Sequence, residues 1–580
     1  MSTAAVVALT AIALVAGVST IIGAFGVRFA RNTSDFLVAS RTVHPVANAS
    51  AISGEYLSAA SFLSVAGLIL KDGPDALWYP VGFTAGYLAL LLFVAAPLRR
   101  SGVYTVPDFA DYRLRSPALG RVSAAFVIII GWLYLLPQLQ GAGLTVAIVA
   151  PGWPSWIGVV GATVVVVVTV VIGGMRSITF VQAFQFWLKF TALAVPAIVL
   201  VLFIGGAHRP LNRPAPPRFP ADTTVAIQTD VALEVTQAVS FTADGVLDGE
   251  PRAGAVRWGA GRHTVTKGSS LEFPAGTAVP VPVGFPVRDS TWLTPLSGDA
   301  EHQMLGIYSL IIATFLGTMG LPHVLVRFYT NPDGRTARRT TVMVLAMLGG
   351  FYLMPAALGA LSRLYVPQLL VSGDTDAAVL LLPTAVLGNG FFGTALAGLV
   401  TAGAWAAFLS TSSGLVVSVA GVLSTSPTLS PRGGALSFRL AAVLAGAVPL
   451  VLALAATQLD LAQTVSLAFA VAASTFCPLL VLGIWWAGLT DRGAIAGLLV
   501  GGVSSVTAVT LSLFDVAPGG WVGVLLARPA VVTVPAAFLT MVVVSGFTAS
   551  RLLPDVPRLM LRLHAPERLG LSPDRVRQPD

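Results

Sequence analysis

The stretch Asn48-Ala49-Ser50-Ala51-Ile52-Ser53-Gly54-Glu55-Tyr56-Leu57-Ser58-Ala59-Ala60-Ser61 puts a carboxylate, several hydroxyls and a glycine at the centre of an otherwise apolar run. The run, residues 46–70, is long enough to cross a bilayer, which takes about 20 apolar residues. A carboxylate buried at that depth is costly, and irregular backbone survives there only where it lines a cavity. The stretch therefore predicts a spanning helix that is interrupted near its middle.

The rest of the chain agrees with a membrane setting. Of 580 residues, 55% are hydrophobic and 10% charged, against about 25% charged in a soluble domain, and mean hydropathy is +0.82. About 13 segments reach spanning length, at 4–27, 46–70, 75–98, 121–150, 155–174, 180–205, 303–325, 340–364, 389–424, 437–456, 463–487, 491–514 and 530–549. The loops after odd-numbered segments, with the C-terminal tail, hold about 22 Lys and Arg, and the opposite short loops about three. The positive-inside rule then puts the N-terminus outside and the C-terminus in the cytoplasm of a multi-pass protein of the cell (plasma or inner) membrane. An odd number of spans requires the same split.

Composition also excludes several classes. A net charge of +8 is scattered through short loops, which argues against nucleic acid as a partner. No Gly-rich loop ending in Gly-Lys-Ser/Thr occurs, so direct ATP drive is not expected. His44, His208, His263, His302, His323 and His564 are spread over loops and helix ends, and Cys477 is alone, so neither a metal centre nor an enzyme is expected. No basic region precedes the first segment, which favours a retained helix over a cleaved signal.

Residues 1–206 and 303–550 carry the spans, with 207–302 an insertion between them and 551–580 a basic cytoplasmic tail. The insertion opens with Pro-rich sequence from Arg209 to Pro220. Thr223–Gln228, Ala232–Thr236 and His263–Thr266 alternate like strands, and Gly245, Gly249 and Gly261 read as turns. A small β-rich extracytoplasmic insertion is expected. It is either decoration of an exposed loop or a module for a partner, such as a small membrane subunit, of unknown kind.

A second interruption, Gly317-Thr318-Met319-Gly320-Leu321-Pro322-His323, lies in the seventh segment, five after the first. That spacing is what a five-plus-five inverted repeat produces, with one extra helix before it and two after, and it points to transport. On the ninth segment, Ala407, Ser410 and Thr411 fall at i, i+3 and i+4 on one helical face. Two hydroxyls and the Ala407 carbonyl, with carbonyls from Ala49 and Ile52, offer the hard oxygens a dehydrated cation needs. The alternative is that the hydroxyls serve their own backbone or pack small against small.

Other polar residues have two readings each. Glu55 either holds the broken helix by an interior hydrogen bond or takes part in gating or proton coupling. Lys189 either attracts an anionic substrate or is paired or snorkelling. Gln138 and Gln140, beside Pro137, either line the cavity or join helices, and His323 reads as structural rather than as a proton relay. Asp108, Asp111, Arg113 and Arg115 read as a cytoplasmic ion-pair network.

Gly54-Glu55-Tyr56-Leu57-Ser58-Ala59-Ala60-Ser61-Phe62-Leu63, Tyr104-Thr105-Val106-Pro107-Asp108-Phe109-Ala110-Asp111-Tyr112-Arg113, Gly173-Gly174-Met175-Arg176 and Gly317 through Phe328 together resemble the sodium/solute symporter family. They look most like its cation/acetate (monocarboxylate) permease branch, with good cover over 45–425. The resemblance implies an all-α protein of thirteen helices with a LeuT-like core and no cofactor beyond Na+ as coupling ion. Its sodium site falls on Ala49, Ile52, Ala407, Ser410 and Thr411. Sugar and proline members carry an Asp where Gln182 stands here, which argues against a second sodium site dependent on that carboxylate.

The expected activity is uptake of a small monocarboxylate, acetate-like, with pyruvate or propionate as alternatives, together with Na+. Gly54, Tyr56, Ser58, Gln138, Gly317 and Gly320 are the expected substrate contacts, through N–H groups at half-helix N-termini near Gly54–Tyr56 and Gly317–Gly320. Glu55, Gln182 and Lys189 are the candidates for coupling or gating, and no lone Arg is expected in the cavity. One Na+ per monocarboxylate would move no net charge. The alternatives are a Na+- or H+-coupled symporter of a neutral or zwitterionic solute such as an amino acid, and a solute sensor, which would need an output domain that 551–580 is too short to supply.

Overall fold

The computed structural model describes residues 2–26, 44–103, 105–204, 215–227, 230–296, 302–328, 330–331, 333–425, 435–456, 460–514, 520–565 and 569. Of the expectations above, Tyr104, the start of the Pro-rich stretch at 209–214 and the tail from 570 onward lie outside these residues. So do the side chains of 174–176.

In lipid every backbone N–H and C=O must be satisfied within its own segment, so long apolar runs become helices. They are α1 (Thr3–Gly26), α2 (Pro45–Tyr56), α3 (Val65–Asp72), α4 (Trp78–Phe93), α5 (Val106–Leu114), α6 (Pro117–Val149) and α7 (Trp156–Ile204). After the insertion come α8 (Gln303–Gly320), α9 (Pro322–Phe328), α10 (Gly334–Tyr365), α11 (Phe391–Thr425), α12 (Ala435–Ala455), α13 (Leu461–Trp485), α14 (Asp491–Leu513) and α15 (Ala530–Phe547). Among the described residues 12 helical runs are long and apolar enough to cross a membrane. The expected second segment is not a uniform thirteenth rod. It is α2, a break, a π turn at Ala60–Ser64 and α3, which reverses into α4 at Gly73, where φ is +64°. The fifth and sixth expected segments form two spans, Trp156–Gly173 and Ser177–Ile204, of one helical run.

Helices α11 and α13 are buried nearly all round, so they form the centre. The broken second span lies against α7 and α11, and the interrupted α8–α9 pair lies against α13 and α4. The expected ion-pair network around Asp108 is not what Arg113 and Arg115 join. Arg113 is buried and its Nε donates to Gly483 O at 2.9 Å, and Arg115 pairs with Asp555 at 3.0 Å. Asp108 serves as part of a capping box with Thr105 at the start of α5.

Between α7 and α8 the chain forms a seven-stranded antiparallel sheet. Its strands are β1 (Thr223–Ala226), β2 (Val231–Val235), β3 (Val239–Leu247), β4 (Glu250–Trp258), β5 (Gly261–Val265), β6 (Ser270–Phe273) and β7 (Val281–Pro282). They run in the order β1-β6-β3-β5-β2-β7, with β4 paired to β3. Asp248 and Gly249, with φ of 52° and 81°, make the two-residue β3–β4 turn. Gly245 is not the turn the sequence suggests. It lies within β3, where a methyl would strike the Ser269 side chain. Alternation buries Phe219, Phe241, Trp258 and Phe273 together, with Phe219 and Phe273 stacked at 4.7 Å. The contacts that moor the sheet to the helices include Trp292 Nε1 donating to Ile69 O at 2.8 Å and buried Arg363 of α10 pairing with Asp289 at 3.2 Å.

Candidate functional site

Helix α2 stops where Leu57 leaves helical geometry, at φ −74° and ψ 87°. An ended helix has carbonyls in its last turn without backbone partners. Side chains from two other helices supply donors. Ser410 Oγ donates to Gly54 O at 2.7 Å, and Thr411 Oγ1 donates to Glu55 O at 2.7 Å. Lys189 Nζ donates to Leu57 O at 2.6 Å, to Ser410 Oγ at 2.8 Å and to Gly54 O. On the far side of the break the first free N–H, that of Ala59, donates to Gln138 Oε1 at 2.9 Å.

A second set of polar groups stands beside the first. Arg327 of α9 donates through Nε to Glu55 Oε2 at 2.7 Å, through Nη1 to Thr179 Oγ1 at 2.9 Å, and through Nη2 to Gln182 Oε1. Gln182 Nε2 in turn donates to Ser410 O at 2.8 Å and to Ser413 Oγ at 3.1 Å. All of these side chains are buried. The network runs without a gap from Glu55 through Arg327, Gln182 and Ser410 to Lys189.

Towards the seventh segment the interior becomes aromatic. Tyr56 OH meets Thr318 Oγ1 at 2.8 Å and donates to Phe83 O at 3.2 Å, and its ring lies edge-on to Tyr87 at 4.6 Å. Tyr134 stands 5.3 Å from the His323 ring. Ser58 Oγ and both His323 ring nitrogens are buried and make no hydrogen bond among the described residues. Buried polar atoms are normally paired, so a purely structural His323 would be expected to have a partner. At the end that carries the sheet, a cleft of about 410 Å³ is bordered by Lys71, Asp72, Asp75, Tyr79 and Arg528. Tyr79 also packs on Phe83.

With this geometry in view, likeness to known proteins is informative. The family model described as Sodium:solute symporter family matches residues 36–242 and 275–501. The chain belongs to this family. Among its relatives, an uncharacterized symporter, YwcA, of Bacillus subtilis is 29% identical over 90% of this chain and 91% of its own length. A monocarboxylic acid transporter of Corynebacterium glutamicum is 28% identical over 87% and 85%. The solved structure of a Na+-coupled sialic acid symporter superposes with a TM-score of 0.61 at 14% identity, covering 93% of this chain and 97% of that one. That likeness establishes the LeuT-like fold, and the apolar helices make this symporter a multi-pass membrane protein.

The symporter brings most of the expected residues together, with corrections. Ser410 and Thr411 face inward onto the broken span, but the carbonyls they meet are Gly54 and Glu55. Ala49 and Ile52 lie further back in α2, where carbonyls bond along the helix. The Ala407 carbonyl accepts from Ser410 Oγ at 3.1 Å. Gly54–Tyr56 closes a helix instead of opening one, so it presents carbonyl oxygens and not N–H groups, which is the wrong polarity for an anion. The same holds for Gly317–Gly320 at the end of α8.

Those two glycines have a packing role. A methyl at Gly317 would lie 2.5 Å from Phe469 O, and one at Gly320 would strike Ala472 O, so both let α8 lie close on α13. Gln138 is a backbone partner of the break and not a free donor, while Ser58 keeps its hydroxyl unpaired. Arg327 is the residue sequence reasoning missed. An arginine five residues after Pro322, in a run as apolar as Val324-Leu325-Val326, was the available signal, and Glu55 is its counterpart.

Proposed function

We propose that this symporter imports a small monocarboxylate, acetate with pyruvate and propionate as alternatives, by alternating access around the broken second span. The observation that carries the reading is the interruption at Leu57–Ala59 against α11. The relative named as a monocarboxylic acid transporter supplies the substrate class. Family membership supports coupling to Na+, and Ala49, Ile52, Ala407, Ser410 and Thr411 are the positions assigned to that ion from sequence. The substrate carboxylate meets Ser58 and His323, whose polar atoms lack partners among the described residues, with Tyr56 and Tyr134 closing over its short apolar end. The tight aromatic surround favours a substrate of a few atoms. In this reading the sheet-bearing end faces outward and the basic tail inward.

The test is uptake of [¹⁴C]acetate into proteoliposomes, with pyruvate, propionate, proline and glucose as competitors. Pyruvate and propionate should compete, while proline and glucose should not. Competition by proline alone would instead favour the reading as a symporter of a zwitterionic solute.

A further inference from the structure

Lys189 lies in the second span of α7 with no exposed surface. Its ammonium carries three N–H donors and has three oxygen partners: Gly54 O, Leu57 O at 2.6 Å and Ser410 Oγ at 2.8 Å. Two of these belong to the interrupted helix and the third to the hydroxyl-bearing helix. They come from the same two elements that were expected to hold a dehydrated metal cation.

The hydroxyls and carbonyls of that set nearest the break are already engaged by donors and acceptors within the protein. Thr411 Oγ1 is bound to Glu55 O, and Ser410 Oγ donates to Gly54 O while it accepts from Lys189. Ala49 and Ile52 lie inside α2. The carboxylate of the cluster, Glu55, is engaged by Arg327. A further positive ion in the same cage would share oxygens with an ammonium, and like charges in so dry a setting repel strongly.

We infer that Lys189 is the resident cation of this cage, a covalently held replacement for Na+, so that the intact protein binds no Na+ there. The location of the cage rests on the symporter reading; the identity of its occupant rests on the hydrogen bonds of Lys189. The ammonium does two jobs in this arrangement. It neutralises the carbonyl-rich end of α2, and it ties the sixth span to the broken one. Shortening Lys189 to alanine removes the charge and leaves Gly54 O, Leu57 O and Ser410 Oγ open to a small ion.

The experiment measures ²²Na+ binding to the purified full-length protein in detergent by scintillation proximity. Wild type should show no saturable binding that Ser410→Ala abolishes, and any Na+ that drives transport should bind independently of Ser410. Lys189→Ala should gain saturable binding, about tenfold above wild type, and Lys189→Ala with Ser410→Ala should lose it again. Lys189→Ser serves as the second variant should the alanine protein fail to melt cooperatively. Saturable binding in wild type that Ser410→Ala abolishes would overturn the inference, as would a cooperatively melting Lys189→Ala or Lys189→Ser protein that gains none. The readout needs no substrate, so an absence of acetate uptake would count against the monocarboxylate reading and leave this result standing.

Discussion

Glu55 Oε2 accepts a hydrogen bond from Arg327 Nε at 2.7 Å, and the pair joins the two interrupted spans inside the protein. Both side chains are buried. Removing one member of a buried ion pair leaves an uncompensated charge and typically costs about 3–5 kcal/mol. Glu55→Gln and Arg327→Met should each lower the melting temperature in detergent sharply, and the double substitution should lower it by less than the sum. Additive losses would show that the two residues act separately.

Gly54 has no room for a side chain, because a methyl there would strike Gln182 O. Overpacking of this kind costs about 1–3 kcal/mol. Gly54→Ala should therefore push α2 off α7 and stretch the bonds that Lys189 and Ser410 make to the Gly54 carbonyl. The expected result is lower stability together with loss of most transport. A variant with full uptake would mean that the spacing between α2 and α7 is not critical.

Gln138 should be hard to replace. Its Oε1 accepts from the Ala59 N–H at 2.9 Å, on the far side of the break. A buried donor left unpaired costs about 1–3 kcal/mol. Gln138→Leu should destabilise by that amount. Gln138→Glu should retain the contact and lose less, which comparative melting curves would read.

Outside the membrane, Asp248 offers a pH test. Its partial burial raises the carboxyl pKa, but hydrogen bonds from His263 and from the Thr264 N–H outweigh this and hold it below the ordinary carboxylate range. A depressed folded pKa gives stability that is present above the unfolded value and disappears as pH falls through the folded one. Because Asp248 is partly exposed, Asp248→Asn should cost under about 1 kcal/mol at neutral pH. Amide exchange at the β3–β5 register, corrected for intrinsic rates, should show the variant and wild type converging as pH drops below the carboxylate range.

The spans were legible because hydropathy reports directly on a solvent, and the break near Gly54–Ser58 was legible because polar and small residues at that depth have few other uses. The inward direction of Ser410 and Thr411 followed from their spacing on one helical face. What sequence could not supply is which partner each polar group takes. Ala49 and Ile52 stand five and two residues before Gly54, and a helix that ends at Tyr56 rather than earlier moves the open carbonyls from one set to the other. Lys189 and Arg327 are far from the break in the chain, 135 and 272 residues from their partners Gly54 and Glu55. No local pattern announces such pairings. The polarity of the break was misread for a related reason: periodicity locates an interruption without saying on which side of it the donors and the acceptors fall.

The mooring of the sheet carries a mechanical consequence. Asp289 and Trp292, just after the last strand, grip Arg363 and Ile69, and Ile69 belongs to the helix directly after the π turn. The sheet cannot swing freely without dragging that helix or stripping a buried arginine of its carboxylate. A rigid ligand raised against the strands would thus be expected to hold that helix as well, with Trp292 and Asp289 among the side chains that carry the constraint inward.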